Sequence, residues 1–150
     1  MSDNKSRAFE HAWKYFEIHT QQRMTVFNFY IAIIGLLAAG SGECLQQGGQ
    51  YSYFAAVLGA FMIFMSFIFF KLDERVSSLI KNSESVLKEL EDGFDDLSNV
   101  IFQKESSDTS VNTSIGSIWT YGRCFRVSFL VVASVGLILL LSPLFVFFNE

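Results

Sequence analysis

Few residues in this chain could do chemistry, and they fall into three groups. His19, Gln22 and Arg23 stand at i, i+3 and i+4, which a helix places on one face. With Glu17 they form a small polar cluster, E-I-H-T-Q-Q-R. A histidine there could sense pH or a ligand, or make a structural hydrogen bond to a neighbouring helix. Glu84, Glu89, Glu91, Asp92, Asp95 and Asp96 form an acidic patch. They lack the D-x-[DN]-x-[DN]-G spacing of a calcium loop. The patch therefore reads as a solvated face, or as a docking face for a basic partner. Asn28 stands apart as the only strongly polar side chain of an apolar stretch. A carboxamide in hydrocarbon needs a partner, so it should face a helix, another subunit or water. It is either an interhelical hydrogen bond or a pore-lining position.

No catalytic constellation accompanies these groups. Two Cys and two His cannot assemble a structural zinc set with normal spacing. No P-loop, G-x-S-x-G or H-E-x-x-H occurs. The expectation is a protein that is not an enzyme and that uses no catalytic residue, cofactor or metal. The net charge of -4 excludes direct nucleic-acid binding as the default.

The elements that must position these residues are legible from composition. The chain has 150 residues, of which 51% are hydrophobic and only 17% charged, against about 25% charged in soluble domains. It has seventeen Phe, and its apolar residues come in long runs that a soluble core of this size cannot hide. A transmembrane helix needs about 20 mostly apolar residues. Residues 24–42, 51–70 and 127–148 meet that length, and none holds Asp, Glu, Lys, Arg or His. The fold class expected is an all-α integral membrane protein, one domain over 1–150. It has three transmembrane helices, an N-terminal amphipathic helix and a cytosolic helical extension of the second span. The lipid bilayer is its first partner.

Orientation follows from Lys and Arg. Lys5, Arg7, Lys14 and Arg23 precede span one, and the other seven lie in 71–126. The loop 43–50 and the tail 149–150 have none. This puts the N-terminus in the cytoplasm and the C-terminus on the far side of the membrane. Aromatic anchors agree: Tyr51 and Tyr53 at the outer end of span two, Trp119 and Tyr121 before span three. Cys44 then falls outside and Cys124 inside, so they should not pair. The 23 residues before span one argue against a signal peptide.

Residues 3–23 carry Phe9, Ala12, Trp13, Phe16 and Thr20 at helical spacing. They predict an in-plane amphipathic helix leading into span one, or a stripe that docks on the cytosolic helix after span two. That helix, 71–94, spaces Val76, Leu79, Ser83, Val86 and Leu90 near 3.5 residues, with Ile80 and Leu87 widening the stripe. This is the pattern of a short coiled-coil seam. Residues 105–114 read as a Ser/Thr-rich linker. Residues 115–125, aromatic and basic, read as a segment along the inner interface. In the spans, Gly35 with Ala39, Ala55 with Gly59, Ala56 with Ala60, and Val132 with Gly136 stand four apart. Small side chains let helices approach closely in lipid, so Asn28, Gly35, Gly59 and Gly136 are candidate pore or packing positions in a homo-oligomer. Pro143 predicts a kink near the outer end of span three.

One block resembles a known group. F-x-x-H-x-x-Q-R (Phe16, His19, Gln22, Arg23), the F-N-F opening of span one (Phe27, Asn28, Phe29) and Y-G-x-x-F-R (residues 121–126) resemble small bacterial membrane effectors of retron-type and abortive-infection anti-phage systems. These motifs cover about a fifth of the chain. The resemblance implies an effector that stays silent until a cytosolic partner senses phage and then permeabilises or depolarises the inner membrane. The residues alone also admit a membrane sensor or scaffold that recruits a soluble defence protein through its acidic helix, or a small channel.

Overall fold

The computed structural model describes residues 3–91 and 121–148. They form three helices, α1 (Asp3–Gln47), α2 (Tyr51–Glu91) and α3 (Tyr121–Phe148), with no strand among the described residues. All three are long and apolar enough to cross a membrane, and the chain is an all-α membrane protein. At 1.5 Å per residue, the 45 residues of α1 and 41 of α2 give rods of about 68 and 62 Å. That is about twice a hydrocarbon core, so each joins a spanning half to an extramembrane half.

The link between α1 and α2 is short because two glycines make it so. Gly48 and Gly49 have φ of 66° and 54°, a left-handed conformation that costs glycine little. The Gly48 amide donates to the Cys44 carbonyl at 3.3 Å, closing α1, and the Tyr51 amide donates to the Gly48 carbonyl at 3.1 Å. This is glycine's usual role at a helix C-terminus.

The chain divides into two compact units. The first takes residues 24–73 and the described part of 121–150. Its core is Tyr30, Ile34, Met62, Phe69, Phe125 and Phe129. Phe27 stacks on Phe125, centroids 4.0 Å apart and planes 17° off parallel. Tyr30 meets Phe129 edge-on at 4.8 Å and Phe69 at 5.2 Å. Aromatic pairs of this kind add about 0.5–1.5 kcal/mol beyond their buried area in water. In lipid, packing of this kind drives helix association. The second unit takes residues 1–23 and 74–120; in its described part Phe9, Ala12 and Phe16 pack with Leu87 and Leu90.

One pattern runs the length of α2. Its buried residues from Ser52 to Leu87 alternate steps of three and four: Ser52, Ala55, Gly59, Met62, Ser66, Phe69, Asp73, Val76, Ile80, Ser83, Leu87. A strict 3.5-residue repeat is the signature of a left-handed supercoiled seam. The positions differ from the sequence pattern within residues 71–91. Ile80 and Leu87 are at its centre, Leu79 and Leu90 are half-buried, and Val86 is 46% exposed. The leucines and valines of this segment are frequent enough to support two registers, and packing selects the one that continues the membrane half.

The structure places two further segments. Residues 3–23 are continuous with span one in a single helix, and their apolar stripe faces Leu87 and Leu90. Of the segment 115–125, residues 121–125 form the first turns of α3, with Phe125 buried against Phe27, and 115–120 lie outside the described residues. Pro143 lies inside α3. Its missing N–H would leave the Leu139 carbonyl without its helical donor; the Ser142 hydroxyl donates to that carbonyl at 2.7 Å.

Candidate functional site

The four positions marked for packing or pore formation separate into two pairs. Gly59 and Gly136 are buried at the crossing of α2 and α3. A Cβ on Gly59 would meet the Gly136 carbonyl oxygen at 2.6 Å, and one on Gly136 would meet the Gly59 carbonyl oxygen at 2.7 Å. These glycines are fully used within one chain. Gly35, by contrast, has nothing within 4 Å of a built Cβ. Asn28 is exposed on the same helix. Both lie on the side of α1 opposite Tyr30, Ile34 and Leu37, which face the core.

That outer side of α1 is unlike the outer sides of the other two spans. On α2 it is aromatic, with Phe54, Phe61, Phe64 and Phe67 all more than half exposed. On α3 it is branched aliphatic, with Leu130, Val131, Leu137 and Ile138 likewise. Large apolar side chains suit lipid. On α1 a strip of small or polar positions, Asn28, Ala32, Gly35, Ala38 and Ala39, is exposed between the large apolar Phe29, Ile31 and Leu36, and that strip suits contact with protein or water.

The polar cluster comes together in part. His19 Nδ1 and Gln22 Oε1 lie 3.3 Å apart, so the tautomer carrying hydrogen on Nδ1 donates to the amide oxygen. The Tyr15 ring meets His19 edge-on at 4.2 Å. Arg23 is half-buried on the same helix and engaged in interactions of its own. Of the acidic patch, Glu89 is exposed, Glu84 half-buried and Glu91 buried. Asp92, Asp95 and Asp96 lie outside the described residues, as do the linker 105–114 and Trp119. Cys44 and Cys124 are free thiols. Among the described residues no group of three or more His, Cys, Asp and Glu could hold a metal.

Two features escaped the sequence. The Tyr30 and Ser66 hydroxyls lie 3.0 Å apart in the buried core, whereas Ser128 and Ser134 donate to carbonyls of their own helix at 2.9 Å. Composition gave Ser66 no distinction from those serines; only its place in the 3.5-residue seam, directly in line with Met62 and Phe69, could have signalled it. Asp73 is buried on that same seam and engaged there.

Comparison with known proteins adds two findings. Residues 6–148 match the family described as the octameric membrane protein family. The chain is also 57% identical over 143 residues to CD-NTase-associated protein 19 of Escherichia coli, a match spanning 95% of each protein. No solved structure matches the chain.

Proposed function

The chain belongs to the octameric membrane protein family, and from that premise we propose that it is an anti-phage defence effector. Eight copies form a ring in the bacterial inner membrane, closed at rest, which opens a path for ions or small solutes when a cytosolic partner triggers it. The observation that carries this reading is Asn28. It is a carboxamide inside a spanning helix, exposed on the outer side of its own chain, and an amide at that depth calls for another subunit or for water. The similar Escherichia coli protein is named for its association with a CD-NTase, which supports a cytosolic CD-NTase system as the source of the trigger. The resemblance of the F-N-F and Y-G-x-x-F-R motifs to abortive-infection effectors points the same way.

In this reading the N-terminus and the α1–α2 extensions are cytoplasmic, supported by the eleven Lys and Arg that all fall in segments assigned to that side. The extensions receive the trigger and the spans conduct. The protein acts by opening a path, with no catalytic step. The test is uptake of a membrane-impermeant dye by bacteria that make this protein together with its CD-NTase system, before and after phage challenge. Uptake should follow the challenge within minutes. Intact dye exclusion in challenged cells, with the protein confirmed in the inner membrane, would refute permeabilisation.

A further inference from the structure

We propose that the ring is closed by α1 against α1 of the next copy, a bulky flank on one fitting a small-residue flank on the other. This rests on the ring reading above and names the surface that builds it. Along a helix of 3.6 residues per turn, the outer side of α1 has two unlike edges. Phe29 and Leu36 stand on one edge, and Leu36, 77% exposed, is the most exposed large apolar side chain among the described residues. Ile31, Gly35, Ala38 and Gly42 stand on the other edge. A Cβ on Gly35 or Gly42 would meet nothing within 4 Å, so this edge is a shallow groove that the chain's own helices leave open. Asn28, Ala32 and Ala39 lie between the two edges.

The geometry of a ring selects how these edges meet. Copies inserted with one topology are parallel and at one depth. Contacts in a closed ring of more than two copies are heterologous, joining two different surfaces of the subunit. Leu36 of one copy then stands level with Gly35 and Ala38 of its neighbour. A side chain opposite a glycine is what lets spanning helices pack closely where lipid offers no hydrophobic drive. The same placement turns Asn28, Ala32 and Ala39 toward the ring axis. Eight helices with axes 8–10 Å apart set those axes about 10–13 Å from the centre, so the path in the triggered ring is on the order of 10–15 Å across once the helix radius is removed. The outer sides of α2 and α3, with their Phe and Leu, remain for lipid and for the rest of the subunit contact.

Disulfide cross-linking in membranes tests this. In a Cys44→Ser, Cys124→Ser background, three full-length variants are oxidised with copper phenanthroline: Leu36→Cys, Ala38→Cys and the two together. Both positions, Leu36 and Ala38, are exposed, so the packed core is untouched. Residues two apart on one helix point to different sides and cannot pair within a chain. The double variant should give a ladder of cross-linked species ending at a closed ring, and neither single variant should cross-link. A dimer from Leu36→Cys alone would mean that like surfaces meet, which overturns the proposal. A double variant that stays uncross-linked while native mass spectrometry counts eight copies also overturns it, and leaves the ring intact with a different interface. A monomer by native mass would remove the ring itself.

Discussion

Gly59 and Gly136 sit backbone to backbone, each with the other's carbonyl oxygen 2.6–2.7 Å from where its own Cβ would be. No side chain of any size fits there. Leu139 Cβ at 2.8 Å and the Leu140 nitrogen at 2.9 Å crowd the Gly59 position further. Backbone cannot swing aside as a side chain can, so a substitution must push α2 and α3 apart. Gly59→Ala and Gly136→Ala should each destabilise by about 1–3 kcal/mol, read as a lower unfolding midpoint in detergent. Gly35→Ala should not lower the midpoint of the dissociated chain, because its site is open within one chain and alanine is the better helix former by about 0.5–1 kcal/mol. Equal loss in all three would contradict the crossing point.

The Tyr30–Ser66 pair should respond asymmetrically. Tyr30 has no exposed surface, so Ser66→Ala strands a phenolic hydroxyl in the core. Tyr30→Phe removes the hydroxyl along with its need, and the short Ser66 side chain can turn to a carbonyl of its own helix. Hydrogen bonds between spanning helices average about 0.6 kcal/mol, while an unsatisfied buried group costs about 1–3 kcal/mol. Ser66→Ala should therefore be the worse of the two in a chemical unfolding series.

The register of residues 71–91 can be checked by a pair of adjacent truncations. Leu87 is fully buried against Ala12 and its neighbours, and Val86 is 46% exposed. Leu87→Ala should cost about 2–5 kcal/mol of local stability and open this part of the helix to protease. Val86→Ala should change proteolysis little. The reverse ranking would restore the register built on Leu79, Val86 and Leu90.

Ser142 provides the donor that Pro143 withholds from Leu139. Ser142→Ala should weaken the outer end of α3 by about 1 kcal/mol, seen as faster amide exchange around residues 139–144. Restoring a backbone donor with Pro143→Ala in the same chain should rescue it.

Asn28 links structure to function most directly. Asn28→Leu replaces the carboxamide at the exposed position by an apolar side chain of similar size. It should leave the unfolding midpoint and the copy number near wild type and sharply reduce dye uptake in triggered cells. Undiminished uptake would remove Asn28 from the conducting path.

Much of this protein is written in its sequence because hydrocarbon is an unforgiving solvent. Every backbone group in the bilayer must be satisfied within its own helix, so three uncharged runs of about 20 residues dictate three spans whatever packs around them. The skew of Lys and Arg predicts their direction, and the loop expected between the first two spans contains the Gly48-Gly49 turn. Pairing is a different matter, since it depends on which of several equivalent residues meet. Gly35 and Gly59 look alike in sequence, each with alanine four residues away, yet one is exposed and the other locked against Gly136. Ser66 and Ser134 look alike, yet one crosses to Tyr30 and the other turns to its own backbone. Val86 and Leu87 differ by one position, about 100° around a helix, and only the tertiary packing decides which is inside. Burial in lipid is a property of each segment and can be read from that segment alone. Close packing is a property of two surfaces together, and it is settled only where both are present.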